Sequence, residues 1–556
     1  MISKKSINIF SIFCAIVFFI LASIVSYLID GKLGKLINYG SLILSYLFFI
    51  SFFLTLSMDF YTGKKSEDEF PKKAVILFCI VVSAVVLLFC SECSFIYPLN
   101  LWDDSNCFFT VGKSVLSGKV LYRDLFEQKG PYLYFFHTLA ALISKDSFIG
   151  VYFIEIILSS ILLFYIYKIL LLFTSKNVLF LLPILLALMY SSNNFQLGDS
   201  AEEFCLTFTI IPFYYSIKNI KQNLNFSLKE FIVTGICAGI VFFIKFSMVG
   251  FFVGFAIMPV VIYIQKKQFK EIFYAIIYIL LGLVISCIPL IIYCLITHSF
   301  ADFFEVYIFN NIFVYSDENV KQTNILMKFI SLVYNCCESL FNHFRNNFII
   351  FVFAALSVIY VFKSFKLQEK LNYFFLYLMT VLFIFGPGRN YRYYSLILDI
   401  FIIFSLIPIN EWSQKKELLS MKKLYCTLIG IISLIVIIFM PFHKDVRFVK
   451  KDNVPQYKFA KEISKLENPS LLNYGSLDDG FYITANIVPQ TKYFCLLNIP
   501  IQEMHDEQKR IVVDGEVDFV VSRQILDFAD KYELIMKENS IRPTWEDTVF
   551  YLYKRK

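Results

Sequence analysis

Apolar runs of bilayer-crossing length recur from residue 7 to residue 441, and they limit what this chain can fold into. Lipid cannot pair an exposed N–H or C=O, so each run must close its own backbone hydrogen bonds as a helix. The composition agrees: 58% of the 556 residues are hydrophobic and 19% aromatic, above the roughly 45–50% apolar share of soluble domains. The hydropathy pattern predicts an α-helical polytopic membrane protein with about 13 spans, at 7–29, 36–57, 74–92, 147–174, 178–192, 202–217, 231–247, 249–265, 272–297, 347–363, 372–388, 391–409 and 424–441. The first run is longer than a signal-peptide core and lacks a small-residue cleavage pattern, so it reads as a retained span. Pro131 to Ile143 is apolar but about two-thirds of spanning length, and reads as a re-entrant or interfacial segment; a tilted crossing that demotes 178–192 is the competing reading.

The formal net charge of +7 comes from basic residues in short loops, a pattern of membrane topology rather than of nucleic-acid binding. Lys4-Lys5, the loop with Lys64, Lys65, Lys72 and Lys73, and the stretches 218–229, 266–267, 363–370 and 415–423 read as cytoplasmic. Counting from there puts loop 93–130, the stretch 298–346 and the tail 442–556 on the outer face. The expected division is a transmembrane catalytic module, 1–441, and a small extracytoplasmic α/β domain, 442–556. The tail alternates strand-like pieces at 471–475, 492–497, 517–522 and 549–554 with a helical 501–511. Most of the 13 cysteines lie in apolar runs and no CxxC pair comes with matching histidines, so neither a disulfide framework nor a zinc site is expected.

Loop 93–130 concentrates charge beside lipid. Asp103, Asp104, Asp124 and Glu127 share it with Lys113, Lys119, Arg123 and Lys129. Asp103-Asp104-Ser105 ahead of an amphipathic stretch from Asn106 to Ser117, stopped by Gly118, has the punctuation of a helix, and one acid as N-cap is the structural explanation. Capping leaves Arg123-Asp124 and Glu127-Gln128-Lys129-Gly130-Pro131 without a reason. The chemical explanation is a partly desolvated carboxylate that serves as general base on a hydroxyl, with arginine and lysine beside it for a phosphate.

The run DDSNCFFTVGKSVLSGKVLYRDLFEQKGPYLYF resembles the first extracytoplasmic loop of bacterial GT-C glycosyltransferases, the superfamily of protein O-mannosyltransferases and aminoarabinose transferases. The matching parts are Asp104-x-x-x-Phe108, Gly118 with Tyr122-Arg123-Asp124, and Lys129-Gly130-Pro131. GDSAEEFCLTF at 198–208 looks like that family's outer-face Glu motif, GIVFFIKFSMVGF at 239–251 like its glycine-led helix ending in Lys, and GPGRNYRYY at 386–394 like its late Arg-Tyr motif; FADFFEVYIFNNIFVY at 300–315 is similar to a juxtamembrane stretch of Gram-positive members. The matches run from about Asp103 to Tyr394. Spans 7–29 and 36–57 and the tail have no counterpart in that expectation.

The resemblance implies an inverting hexosyltransferase of the bacterial plasma membrane. It would move a sugar from a polyprenyl (undecaprenyl) phosphate carrier to an extracytoplasmic acceptor: a cell-envelope glycan, lipid or protein. Asp104 would be the base, with Asp103 second. Arg123, Asp124, Glu127, Lys129, Glu202, Lys245, Arg389, Arg392 and Tyr393 are the expected substrate-binding residues. Several have structural alternatives: Lys245 could snorkel, Glu202 and Glu203 could serve a helix N-terminus, and the Tyr391, Tyr393 and Tyr394 cluster could anchor at the interface. The five histidines show no ligand spacing. No cofactor is called for, although the carboxylates could hold a divalent cation. The competing functions are a flippase or transporter of a lipid-linked glycan, against which charges crowded at one face and the lack of repeats count, and a glycan polymerase or ligase.

Overall fold

The computed structural model describes residues 70–224, 226–315, 325–415, 422–542 and 548–556, with a few positions before residue 70. The expected spans 7–29 and 36–57 therefore lie almost wholly outside the described residues. Among the described residues the longer α-helices before the tail are α1 (Lys72–Cys90), α2 (Asp103–Leu116), α3 (Pro131–Ala141), α4 (Ile149–Leu171), α5 (Leu182–Tyr190), α6 (Ala201–Lys221), α7 (Leu228–Phe242), α8 (Gly250–Gln265), α9 (Phe269–Thr297), α10 (Ile325–Asn346), α11 (Phe348–Ser364), α12 (Leu367–Phe385), α13 (Leu406–Lys415) and α14 (Lys422–Phe439). A 3₁₀ stretch, Arg392–Ser405, leads into α13.

Among the described residues, five stretches are long and apolar enough to cross a bilayer alone: Lys72–Cys90, Ile149–Leu171, Phe246–Gln265, Phe269–Thr297 and Arg392–Gln414. A sixth would be the pair Leu326–Asn346 and Phe348–Ser364, bent by 113°. The protein is thus a multi-pass membrane protein, but the described residues do not reproduce a count of 13. The difference has a physical basis. The run at 178–192 is a 3₁₀ turn, Lys176–Leu181, followed by the nine-residue α5, while α6 carries Glu202, Glu203 and Pro212. Such helices bury against protein and are less uniformly apolar than a helix facing lipid. The segment 131–143 forms the 11-residue α3, packed on α2 and α4 and far short of a crossing.

Helix α9, with 29 residues, is mostly exposed along its length and packs chiefly on α7. The two backbones nearly touch. A Cβ at Gly282 would lie 2.1 Å from the Ile232 carbonyl oxygen, and one at Gly235 2.1 Å from that of Ile279. Small residues allow this contact, which is how helices associate where lipid removes the hydrophobic drive.

After α14 the tail folds as a four-stranded sheet, order β1-β2-β4-β3, from β1 (Leu471–Tyr474), β2 (Phe519–Ser522), β3 (Tyr532–Asn539) and β4 (Val549–Arg555). Strands β1 and β2 are parallel, with Tyr474 opposite Ser522; β4 runs antiparallel to β2 and β3. Helices α15 (Pro455–Ile463) and α16 (Gln502–Asp514) accompany the sheet. The segment 492–497, expected as a strand, is irregular because its backbone is bonded elsewhere: Lys492 O accepts from Phe126 N, Tyr493 O from the Gln508 amide, and Leu496 N donates to Ser476 O. Strand β3 was not anticipated.

Candidate active site

Helix α2 begins at Asp103, three residues before the expected start, and Trp102 holds the cap position without a side-chain hydrogen bond. Neither acid is the cap. Asp103 and Asp104 occupy the first turn, where the helix dipole favours negative charge, and successive residues point about 100° apart. Their carboxylates part accordingly. That of Asp103 turns to the tail, accepting from Arg523 Nη2 at 3.1 Å and Arg542 Nη1 at 3.1 Å. That of Asp104, half-buried, accepts from Tyr393 Oη at 3.2 Å.

Asp104 lines a tight crevice with Glu127, Gln128, Lys129, Tyr315, Tyr391 and Tyr393, closed on the tail side by Leu477, Leu497 and Asn498. The Lys129 ammonium lies 5.6 Å from the Phe108 ring centroid. Burial disfavours its charge, yet the Asp104 and Glu127 carboxylates outweigh that and hold its pKa above the ordinary lysine value. Burial also pushes Glu127 up to about 7, with the Lys129 charge and the Lys129 and Gln128 amides pulling the other way. The Lys129 N–H donates to Glu127 Oε2 at 3.0 Å.

Gly130 explains the Lys-Gly-Pro order. A Cβ there would lie 2.0 Å from the Phe243 carbonyl oxygen, and the chain is pinned by Gly130 N to Ile244 O (3.1 Å) and Tyr132 N to Phe243 O (3.0 Å). Loop and the end of α7 are joined where the helix breaks. There Lys245 forms an ion pair with Glu202, its ammonium 3.4 Å from the Tyr394 ring centroid and 5.4 Å from that of Tyr393. The expected turn between two helices at 245–249 is present as the 3₁₀ piece Phe246–Val249. Glu202 and Glu203 stand in the first turn of α6 behind Ser200, whose hydroxyl caps Glu203 N. Arg389 stacks 3.4 Å from the Tyr315 centroid and donates to Tyr315 O at 2.6 Å.

Of the residues expected to bind substrate, Glu127, Lys129 and Tyr393 share the crevice with Asp104. Glu202 and Lys245 lie behind its tyrosine wall, and Arg389 backs Tyr315. Arg123 and Asp124 do not enter it: Asp124 Oδ2 accepts from Val120 N at 2.7 Å, and Arg123 pairs with Asp124 and donates to Thr297 O at the end of α9, so both brace the loop. Arg392 is exposed. Sequence reasoning missed Tyr315, although it ends the 300–315 stretch, and the lid residues Leu477, Leu497 and Asn498, for which no signal exists in a segment read only as strand and turn. It also left His137 without a role; its Nε2 lies 2.9 Å from Asp199 in the core beneath the loop. Among the described residues, no three His, Cys, Asp or Glu side chains gather as a metal site requires.

Residues 128–293 match the family described as dolichyl-phosphate-mannose-protein mannosyltransferase. Two solved structures of ArnT from Cupriavidus metallidurans superpose along most of the chain. One is bound to undecaprenyl phosphate: TM-score 0.55, 9% identity, covering 87% of this chain and 98% of that one. The other is in the apo state: TM-score 0.55, 10% identity, 86% and 97%. At this identity the match shows that the chain shares the fold of these ArnT structures. No curated protein matches it in sequence.

Proposed function

We propose that this GT-C protein is an inverting glycosyltransferase of the bacterial plasma membrane, which moves a hexose from a polyprenyl-phosphate carrier to a hydroxyl on the outer face. The observation that carries the reading is the meeting of Asp104, Lys129 and Tyr393 on one crevice at the first turn of the loop helix. Asp104 takes the proton of the acceptor hydroxyl as its oxygen bonds to the anomeric carbon. The bond from that carbon to the phosphate oxygen breaks in line, which inverts the carbon and releases polyprenyl phosphate. Lys129 faces the charge that grows on the leaving phosphate; fixed cations act strongly in a site that excludes water. Arg389 stands behind Tyr315, and Lys245, paired with Glu202, behind the other tyrosines, whose faces are offered to the sugar ring. Asp103, Arg123 and Asp124 position the loop.

The test is transfer by purified protein from a panel of polyprenyl-phospho-sugars. Asp104→Asn should lower kcat by at least ~10²-fold, the lower end of general-base contributions, while the protein still accumulates in the membrane. Near-normal turnover in that variant would defeat the assignment.

A further inference from the structure

The crevice at Asp104 is one of two neighbouring cavities. The second, of about 440 Å³, lies in the tail and is lined by Tyr474, Ser476, Asn498, Ser522, Arg523 and Gln524 with Asp103 at its floor. It sits where the parallel strands end. Strands β1 and β2 finish in register at Tyr474 and Ser522, and the cavity is formed by the chain leaving them: Gly475 to Leu477 after β1, Arg523 and Gln524 after β2. The carboxyl ends of parallel strands are where α/β sheets bind ligands, because both loops open outward there. The volume falls within the ~300–1,000 Å³ usual for small-molecule sites.

Three residues, Leu477, Leu497 and Asn498, line both cavities, and Asp103 of the second precedes Asp104 of the first. The strand-end cavity therefore adjoins the crevice of Asp104, with Leu477, Leu497 and Asn498 as the wall between them. The lining also indicates chemistry. Arg523 is the one cation there and it is already neutralised: its Nε lies 3.1 and 3.2 Å from the Asp479 oxygens and its Nη2 3.1 Å from Asp103. What remains is the ring and hydroxyl of Tyr474, the hydroxyls of Ser476 and Ser522, the amides of Asn498 and Gln524, and the apolar side chains of Leu477, Leu496 and Leu497. That set offers hydrogen bonds and a stacking face and no net positive charge for an anion.

We infer that the strand-end cleft of the tail is the acceptor subsite, and that it takes a neutral polyhydroxylated acceptor, a saccharide, whose end reaches Asp104 past Leu477, Leu497 and Asn498. This rests on the transferase reading above but is tested apart from it. The full-length protein in nanodiscs is titrated with chitopentaose and maltopentaose as neutral probes and tetragalacturonate as the anionic one, with saturation-transfer NMR as the readout. At least one neutral probe should bind, and Gln524→Trp, at an exposed position on the cleft, should weaken it by tenfold or more. Ile525→Trp, exposed and outside the cleft, should not. Asp104→Asn should bind the probe as wild type does even though its transfer falls by at least ~10²-fold, so a failed transfer and a failed cleft are told apart. Binding by neither neutral probe, equal binding by Gln524→Trp, or preference for tetragalacturonate would each overturn the inference.

Discussion

Asp103 and Asp104 are chemically alike and adjacent, and they serve different partners because a helix turns between them. Sequence reasoning could name the pair, and the family resemblance ranked Asp104 first, but the direction of each side chain depended on where α2 starts. That start was set by Trp102, not by either acid. Lys129 and Gly130 stood out only through the resemblance, and the reason for the glycine, its close approach to the Phe243 carbonyl, needed the fold. Glu127 carries a consequence at this scale. Its carboxyl titrates near 7 because it is buried, so between pH 8 and pH 6 it gains a proton and stops competing for the Lys129 ammonium. A phosphodiester donor keeps its charge over that range. The donor KM should therefore fall on acidification, by roughly 3- to 10-fold for the loss of one nearby charge in a partly desolvated site. Glu127→Gln should show the low KM at both values. A variant that keeps the wild-type slope would show that another group governs it.

Whole helices were the most legible elements, because a run of about 20 apolar residues has few alternatives. Their number was less so: hydropathy sees apolar character but not whether lipid or protein covers it. The 3₁₀ stretch Arg392–Ser405 is almost entirely buried in protein, while α9 is largely bare. With ~1.5 Å of rise per residue, the 29 residues of α9 are longer than the ~30 Å hydrocarbon core. Its contact with α7 depends on glycine. Gly282→Leu should force the helices apart and reduce the folded fraction recovered from membranes several-fold, as overpacking in a close contact costs about 1–3 kcal/mol or more. Gly430→Leu on α14, where no atom lies within 4 Å of the added Cβ, is the matched control and should accumulate normally. Equal recovery of the two variants would mean that the α7–α9 contact contributes little.

The molecule as a whole was the least legible, because sequence places the tail after the last span without saying what it touches. It closes over α2. Thr110 Oγ1 donates to Asp478 Oδ2 at 2.6 Å, buried Lys113 donates to Tyr482 O at 3.0 Å, Phe126 N donates to Lys492 O, and the Cys107 and Cys495 thiols meet at 3.7 Å. Tail and loop share one apolar core that includes Phe108, Phe481 and Phe494. Burying these groups shifts their titration together. Asp103 is pushed up to about 7 and Asp478 to about 6, both mainly by burial, as Glu127 is to about 7. Each folded value lies above the usual carboxylate range of ~4, so between about pH 4 and 7 the docked state binds more protons than the unfolded chain. Stability must then fall as pH rises through that window and level off above it. Thermal unfolding of the full chain should come several degrees higher at pH 5 than at pH 8. Asp478→Asn keeps an oxygen for Thr110 and carries no charge to bury, so it should raise the midpoint at pH 8 and narrow the difference. A midpoint that instead rises from pH 5 to pH 8 would mean that Arg523 and Arg542 outweigh burial, and that the tail is held by charge rather than in spite of it.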